Sequence, residues 1–390
     1  MIVPNKSYRP NPERAIYVNG TINEEIVTQL TPRILLLQKK NRDPITVYID
    51  SRGGDPRSVD SLLRLLNLTD QSASDPCWII TVVTNRASSA AADLLSSGDY
   101  AIAFPSTTIL HHGVRTVETD PLTLETTSLI GEFLRLRNDA YAMQLAQKIE
   151  SRFSFRFVTV RQEFDELRVK KSSPAMSELD CFIAAIEEKL SDRAKKLWKK
   201  AIQRQGRYHD LIATVVKNNQ DRGSNAQPKT LAEIQADIIK AIVDFEVVNN
   251  NSEPDWSFRT GGLGRVVDDF FLVNEYIVNN NHDRLKEWCT SFGKWTLAPD
   301  QITAVDAITD EDARLEKTIE LVRPILQPVW TFFVALCHAL QEGENTLTAM
   351  DAYWLGLIDE VIGEDDLMTI RALNEYEDDP PDAEEAKSGK

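Results

Sequence analysis

The chain has 390 residues and a formal net charge of -16, from 60 acidic and 44 basic side chains. This length can bury a large core without disulfides or metal, and the acidic balance argues against general nucleic-acid binding, which needs a basic face. The four cysteines are widely scattered and the N-terminus has no apolar run typical of a secretory signal, so we expect a reduced, cytoplasmic protein without a membrane span.

The first 112 residues read as alternating strands and helices. The β-branched run at 45–49 is typical of a buried strand, and the apolar strand predicted at 78–83 leads into an alanine-rich helix predicted at 87–96. Strands separated by helical runs of about ten residues predict βαβ units and a parallel sheet. Further strands are predicted at 16–18, 100–104 and 108–111, with a helix at 58–66.

From residue 119 onward the pattern changes to long helices, predicted at 129–151 and 178–205. Sheet-like character returns near the end of the segment 348–362. The last residues are rich in Asp, Glu and Pro, a composition typical of disorder. We therefore expect a first core part at 1–150, a mainly helical insertion domain at 151–325, a closing core part at 326–365 and an acidic disordered tail at 366–390.

Two serines, Ser88 and Ser89, lie at the junction between the apolar strand and the alanine-rich helix. A serine at this point projects above the end of the strand, and the following amides, starting with that of Ala90, point at whatever lies beside its oxygen. A helix N-terminus of this kind can stabilise an oxyanion. Serine is also a preferred N-cap residue, so the stretch by itself fits a structural role as well.

Two histidines, His111 and His112, follow on the strand predicted after that helix. A serine nucleophile needs a neighbouring base to take its proton, and histidine is the usual one near neutral pH. Neighbouring side chains on a strand face opposite sides, so at most one of the two can point at a given serine. The alternative is a packed or surface histidine pair.

The turn after the strand at 45–49 contains two glycines, Gly53 and Gly54. Paired glycines let the backbone approach a ligand closely, and they can present a second N–H group to an oxyanion. The alternative is a tight turn between a strand and a helix with no role in chemistry.

The order of these three stretches resembles the Clp protease proteolytic subunit. The pattern of that family is strand-SerProGlyGly-helix, then AlaxSer-helix, then a proline followed seven residues later by the catalytic histidine. This chain has SerArgGlyGly at 51–54, AlaSerSer at 87–89 and ProSerThrThrIleLeuHisHis at 105–112. Counting within AlaxSer gives Ser89 as the nucleophile, and counting from the proline gives His112 as the base.

The segment 347–359 also resembles the segment that closes the core in this family. There the triad acid lies three residues before the first leucine of the segment, which implies Glu344 here. A glutamate in place of the family's aspartate is a departure, and Glu342 is a near neighbour, so the identity of the third triad residue stays open. The resemblance covers residues 14–150 and 326–362.

The resemblance implies a crotonase-like α/β spiral of βαβ units with the helical domain inserted after the catalytic histidine. It implies a serine endopeptidase in which the backbone N–H groups of Gly54 or Gly53 and of Ala90 hold the oxyanion. The partners that it implies are a polypeptide substrate, further copies of the chain and a separate ATP-dependent unfoldase or regulatory protein. We predict no metal and no other cofactor.

Two other functions are consistent with the sequence. One is a CoA-thioester hydratase or isomerase of the same superfamily, which the stretch 96–103 also resembles. Those enzymes commonly use glutamates near the second oxyanion helix, where this chain offers only Asp93. The other is a catalytically inactive scaffold or adaptor, which the large insertion and the glutamate at position 344 favour and the intact serine and histidine disfavour.

Overall fold

The computed structural model describes residues 9–68, 76–115, 123–159, 178–220 and 299–364, together with single positions between 233 and 369. The predicted disordered tail at 366–390 lies almost wholly outside the described residues, as do 160–177 and most of 221–296 within the predicted insertion. The division of the chain into domains therefore stays a prediction.

Within the described residues, seven strands form one sheet in which most neighbours are parallel. Strands β1, β2, β3, β4 and β7 follow one another across the sheet, all in parallel pairs. This arrangement confirms the predicted α/β class. The strands are β1 (Ala15–Ile22), β2 (Ile45–Gly54), β3 (Ile79–Ser88), β4 (Tyr100–Ala103), β5 (Thr108–His111), β6 (Asn345–Thr348) and β7 (Glu360–Val361).

Strand β3 is the centre of the sheet because it pairs with two strands on the same side. Its residues 80–83 pair with β4, and its residues 86–88 pair with β5, which in turn pairs antiparallel with β6. The sheet therefore splits beyond residue 83, and the end of β3 continues beside β5 and away from β4. Divergence of this kind at the carboxyl end of a parallel sheet is where α/β folds place ligands.

Helices account for most of the described residues outside the sheet. They are α1 (Glu24–Lys40), α2 (Pro56–Leu66), α3 (Ala90–Ser97), α4 (Leu124–Thr159), α5 (Glu178–Lys189), α6 (Asp192–Gln220), α7 (Pro299–Asp306), α8 (Glu311–Leu340) and α9 (Ala349–Trp354). None of the described helices combines the length and the hydrophobicity needed to cross a membrane.

Two predicted helix boundaries are wrong. The alanine-rich helix begins at Ala90 instead of residue 87, because Ala87 and Ser88 extend β3 and pair with β5. The helix predicted at 178–205 is two helices, α5 and α6, with a break before Asp192. At the break the amide and hydroxyl of Ser191 both donate to the buried carboxylate of Asp351, at 2.9 and 2.8 Å. Tertiary hydrogen bonds replace the helical ones there.

Helices α5, α6 and α8 share a core centred on Trp198. The indole of Trp198 packs edge-on against the ring of Phe332 with 4.7 Å between the centroids, and its N–H donates to the carbonyl oxygen of Ile183 at 3.2 Å. Both rings are almost fully buried. Asp351, which accepts from Ser191 before α6, also belongs to the capping box at the start of α9. The break between α5 and α6 is therefore linked to the end of β6, the strand that precedes α9.

Arg152 on α4 ties the closing segment to the sheet. Its guanidinium pairs with the carboxylate of Asp359 at 2.9 Å, and both side chains are nearly fully buried. It also donates to the carbonyl oxygens of Gly356, Leu357 and Ser96. The carboxylate of Asp359 accepts a further bond from the amide of Ala101 at the start of β4. One buried charge pair thus joins α4, α3, β4 and the closing segment.

Candidate active site

Three strands end at the same edge of the sheet, and each is followed by a residue that the sequence singles out. β2 ends at Gly54, β3 is followed by Ser89, and β5 is followed by His112. Because β2, β3 and β5 run parallel to one another, their carboxyl ends meet at one edge. The structure therefore places the paired glycines, the serines and the histidines in the same region.

Ser89 has an unusual backbone conformation. Its φ and ψ are 56° and -132°, and it is the single non-glycine residue with positive φ among the described residues. Such conformations cost of order 1–3 kcal/mol and persist where the surroundings impose them. Here the amide of Ser89 donates to the carbonyl oxygen of Leu110 on β5 at 2.7 Å, which holds the turn against that strand. A sharp, strained turn from strand to helix is the setting in which many hydrolases expose a nucleophilic serine.

The hydroxyl of Ser89 does not cap the helix that follows. Ser89 occupies the N-cap position of α3 but makes no side-chain capping hydrogen bond, and it is its backbone carbonyl oxygen that accepts from the amides of Ala92 and Asp93. Ser88, in contrast, is a regular strand residue paired with Leu110. The two serines thus differ in environment, and Ser89 is the one at the turn.

Gly53 lies directly against Ser89. It has φ +88°, and a Cβ added to it would lie 2.8 Å from the Cβ of Ser89 and 3.2 Å from the amide nitrogen of Ala90. This close approach requires glycine, because any side chain would displace the serine turn. The amide of Gly53 donates to the hydroxyl of Ser51 at 3.0 Å, and that hydroxyl donates to the carbonyl oxygen of Gly20. Of the two glycine amides considered for the oxyanion, the one at position 53 is therefore already bound.

The start of α3 lies beside the serine as the sequence predicts. Residues Ala90, Ala91 and Ala92 are buried, and their small side chains let the first turn pack against the sheet. The first amides of a helix have no acceptor within the helix, and the helix dipole adds partial positive charge there. The amide of Ala90 is therefore suited to bind a negatively charged oxygen next to Ser89.

His111 and His112 have different surroundings. His111 is 1% exposed, and its Nδ1 lies 3.6 Å from a carboxylate oxygen of Asp93 on α3. Neither ring nitrogen of His111 has a hydrogen-bond partner among the described residues. His112 is only half-buried, and its Nδ1 lies 2.6 Å from the carbonyl oxygen of Gly113. The histidine pair thus consists of one ring inside the fold and one at its surface.

Glu344 lies next to His112 because of the pairing of β5 with β6. His111 pairs with Asn345 in the antiparallel register, so continuation of that register brings residue 344 beside residue 112. The carboxylate of Glu344, however, binds the guanidinium of Arg115 at 2.9 Å, and both side chains are about three-fifths exposed. The hydrogen bond and the charge of Arg115 hold the pKa of Glu344 below its usual value, with a smaller contribution from His112. The neighbouring Glu342 pairs with Arg204 on α6.

Two features of this site have no counterpart in the sequence predictions. One is Arg115, which has no recognisable motif and becomes relevant only because it lies across from Glu344. The other is the contact of Asp93 with His111. The sequence singles out Asp93 only as the acid available to a CoA-thioester enzyme, and its contact with the buried His111 becomes visible only in the fold.

Residues 7–140 match the protein-family model described as Clp protease. The predicted resemblance to the Clp protease family is therefore confirmed over this segment. The matched segment contains Gly53, Ser89 and His112, whereas Glu344 lies outside it.

Two curated relatives agree with the Clp protease match. The chain is 30% identical over 144 residues to the ATP-dependent Clp protease proteolytic subunit 2 of Gluconobacter oxydans (strain 621H), which covers 35% of this chain and 62% of that protein. It is 31% identical over 102 residues to the ATP-dependent Clp protease proteolytic subunit of Carsonella ruddii (strain PV), which covers 26% of this chain and 50% of that protein. The chain thus spans between half and two thirds of the length of these relatives.

Proposed function

We propose that this chain is a Clp-like serine endopeptidase that hydrolyses peptide bonds of polypeptide substrates. The observation that carries the proposal is the conformation of Ser89, an uncapped serine with positive φ at the carboxyl end of β3, packed against Gly53. Strain of this kind is concentrated at functional sites. The match of residues 7–140 to the Clp protease family supports the same assignment.

In the proposed reaction Ser89 Oγ attacks the carbonyl carbon of the peptide bond while His112 takes the hydroxyl proton. The carbonyl oxygen becomes an oxyanion, which the amides of Ala90 and Gly54 stabilise. Gly54 is preferred to Gly53 because the amide of Gly53 already donates to Ser51. The C–N bond then breaks as His112 returns the proton to the leaving amine. His112 finally takes a proton from water as that water attacks the acyl ester, and it returns the proton to Ser89 Oγ as the ester C–O bond breaks and the carboxylic acid product is released.

Glu344 is the proposed third member of the triad. A triad acid holds the imidazole in the correct tautomer and stabilises the imidazolium that forms during the reaction. The β5–β6 register supports Glu344 for this role, because it brings residue 344 beside His112. Glu342 is less suitable because it pairs with Arg204.

The names of both relatives describe ATP-dependent proteolytic subunits. We extend that property to this chain as part of the proposal: a separate ATP-dependent unfoldase or regulatory protein supplies unfolded polypeptide, and further copies of the chain assemble with it. A cytoplasmic location fits the free thiols of Cys77 and Cys337, both buried and unbridged.

The test is labelling of the purified chain with a fluorophosphonate serine-hydrolase probe. We expect labelling of the wild type, its loss in Ser89→Ala and at least a 100-fold slower reaction in His112→Ala, because removal of one triad residue typically costs about 10⁴-fold or more. Ser88→Ala is the matched control, because it removes a neighbouring hydroxyl that lies in a regular strand. Labelling that persists in Ser89→Ala, or that disappears in Ser88→Ala, would contradict the proposed nucleophile.

One observation favours a second candidate, a catalytically inactive Clp-like scaffold. The acid that a triad needs is bound to Arg115, and His112 Nδ1 is bound to a backbone carbonyl oxygen. A scaffold would fail to react with the probe in the wild type, with or without an added unfoldase.

A further inference from the structure

The side chains of His112, Arg115 and Glu344 near the end of β5 are not hydrogen-bonded as a catalytic triad requires. In a working triad the acid accepts a hydrogen bond from Nδ1 of the histidine. Here Nδ1 of His112 lies 2.6 Å from the carbonyl oxygen of Gly113, which can only accept, so Nδ1 carries its proton toward that oxygen. The carboxylate of Glu344 instead accepts from Arg115 Nη2 at 2.9 Å.

The backbone that carries Arg115 is fixed in place from the other side. The amide of Val114 donates to the side-chain oxygen of Asn138 on α4 at 2.7 Å. Gly113 lies so close to the carbonyl oxygen of Gln341 that an added Cβ would be 2.7 Å from it. The backbone between His112 and Arg115 is therefore held between α4 and the end of α8, which anchors the main chain from which Arg115 reaches Glu344.

We propose that Arg115 is a positioning residue that engages the Glu344 carboxylate in place of His112, so that the site favours a low-activity arrangement while this ion pair is intact. The inference rests on the proposed peptidase function, because it assigns Glu344 and His112 the roles given above. Glu344 directly precedes Asn345, the β6 partner of His111, so its carboxylate, once released from Arg115, can replace the Gly113 carbonyl oxygen as acceptor for His112 Nδ1.

The exposure of the Arg115–Glu344 pair limits how much its loss can change the reaction rate. Both side chains are about 60% exposed, so solvent and salt screen their attraction. Exposed pairs contribute little, and breaking this one should shift the population of the released state, and hence the reaction rate, by roughly two- to fivefold. Raising the ionic strength should produce part of the same gain in the wild type and none in a variant without Arg115.

The direct test is NMR of the His112 imidazole in the wild type and in the variants Arg115→Met, Glu344→Gln and Arg115→Met/Glu344→Gln, with the resonances assigned from His112→Gln. We expect Glu344→Gln to leave the His112 ring resonances of the wild type nearly unchanged but to shift them clearly in the Arg115→Met background, a non-additive effect that indicates direct coupling. Arg115→Gln serves as a second variant. Lys317→Met is the matched control, because Lys317 and Glu320 form an exposed pair far along the chain on α8.

Equal effects of Glu344→Gln with and without Arg115 would overturn the proposal, and so would a large effect in the wild type alone. Fluorophosphonate labelling of the same proteins tests the proposed peptidase function independently of the role of Arg115. If the NMR coupling appears but no variant labels, Arg115 positions Glu344 as proposed and the peptidase function is wrong. If labelling occurs at the same rate in the wild type and Arg115→Met and the NMR coupling is absent, the peptidase function stands and the role of Arg115 is wrong.

Discussion

The two halves of the candidate site are held in place by different kinds of interaction. The half with Ser89 and Gly53 is fixed by the backbone, through β-strand pairing, the bond from the Ser89 amide to Leu110 and the close approach of the glycine. The half with His112, Arg115 and Glu344 lies beyond the ends of β5 and β6, where a half-buried imidazole bonds a backbone carbonyl oxygen and an exposed carboxylate bonds an exposed guanidinium. The fold therefore constrains the proposed nucleophile through its backbone and constrains the proposed triad acid much less.

Two ion pairs of equal length show the same contrast. Arg152–Asp359 and Arg115–Glu344 both measure 2.9 Å, but the side chains of the first pair are 3% and 5% exposed and those of the second are 59% and 61% exposed. A distance alone does not indicate what an ion pair contributes. Burial determines how much stability is lost when one partner is removed, because the remaining partner is then an unpaired charge in a medium of low dielectric constant.

The largest effect is expected from Gly53→Ala. The added methyl group would meet the Cβ of Ser89 at 2.8 Å in a backbone conformation with φ +88°, so the serine turn must move. A displacement of about 1 Å at a reacting group can cost about 100-fold in rate, and we expect at least that loss in probe labelling. Gly20→Ala is the control, since Gly20 has φ +80° but nothing within 4 Å of an added Cβ. A variant at position 53 that labels as fast as the one at position 20 would show that the glycine does not support the nucleophile.

The second-largest effect is expected when the buried ion pair Arg152–Asp359 is broken, and it is an effect on stability. Arg152→Met should lower the free energy of unfolding by about 3–5 kcal/mol, because it removes the cationic partner of the buried Asp359 side chain. Arg115→Met should change it by less than about 1 kcal/mol. Urea unfolding followed by circular dichroism measures both. Similar losses in the two variants would mean that the burial of the Arg152–Asp359 pair is not what distinguishes them.

A smaller effect is expected on the pH dependence of stability, through the buried imidazole of His338 on α8. Burial, with a smaller contribution from the charge of Arg204, lowers the pKa of His338 from 6.5 to about 3. Between pH 6.5 and pH 3 the unfolded chain binds a proton at His338 that the folded chain does not. The free energy of unfolding is therefore unaffected by this group above pH 6.5 and decreases as the pH falls from 6.5 toward 3. At pH 5 the loss is about 2 kcal/mol.

Replacing the titrating ring at this position isolates its contribution. His338→Leu should flatten the decrease in unfolding free energy between pH 7 and pH 5, whatever its effect on stability at pH 7. Thermal or urea unfolding at the two pH values gives the difference. An unchanged pH slope in the variant would place the acid sensitivity of the fold elsewhere, for example in other histidines.

Secondary structure could be predicted well where local pattern and tertiary pairing agree. The strand at 45–49 and the helix at 58–66 have clear local patterns, and both lie within β2 and α2 of the structure. The prediction failed at residue 87, where alanines favour helix but pairing with β5 keeps the chain extended to Ser88. It failed again at Ser191, where hydrogen bonds to Asp351 interrupt a continuous helical pattern.

The sequence by itself determined the α/β class, the resemblance of residues 7–140 to the Clp protease family and the candidates Gly53, Gly54, Ser89 and His112, because the order and spacing of the motifs that contain them can be read along the chain without the fold. Only the tertiary structure decided the strain at Ser89, the burial of His111 beside Asp93 and the pairing of Glu344 with Arg115. Residues 115 and 344 lie 229 positions apart, and their contact depends on the antiparallel pairing of β5 with β6. No local pattern carries that information, since the chain that separates two such residues has to fold before they meet.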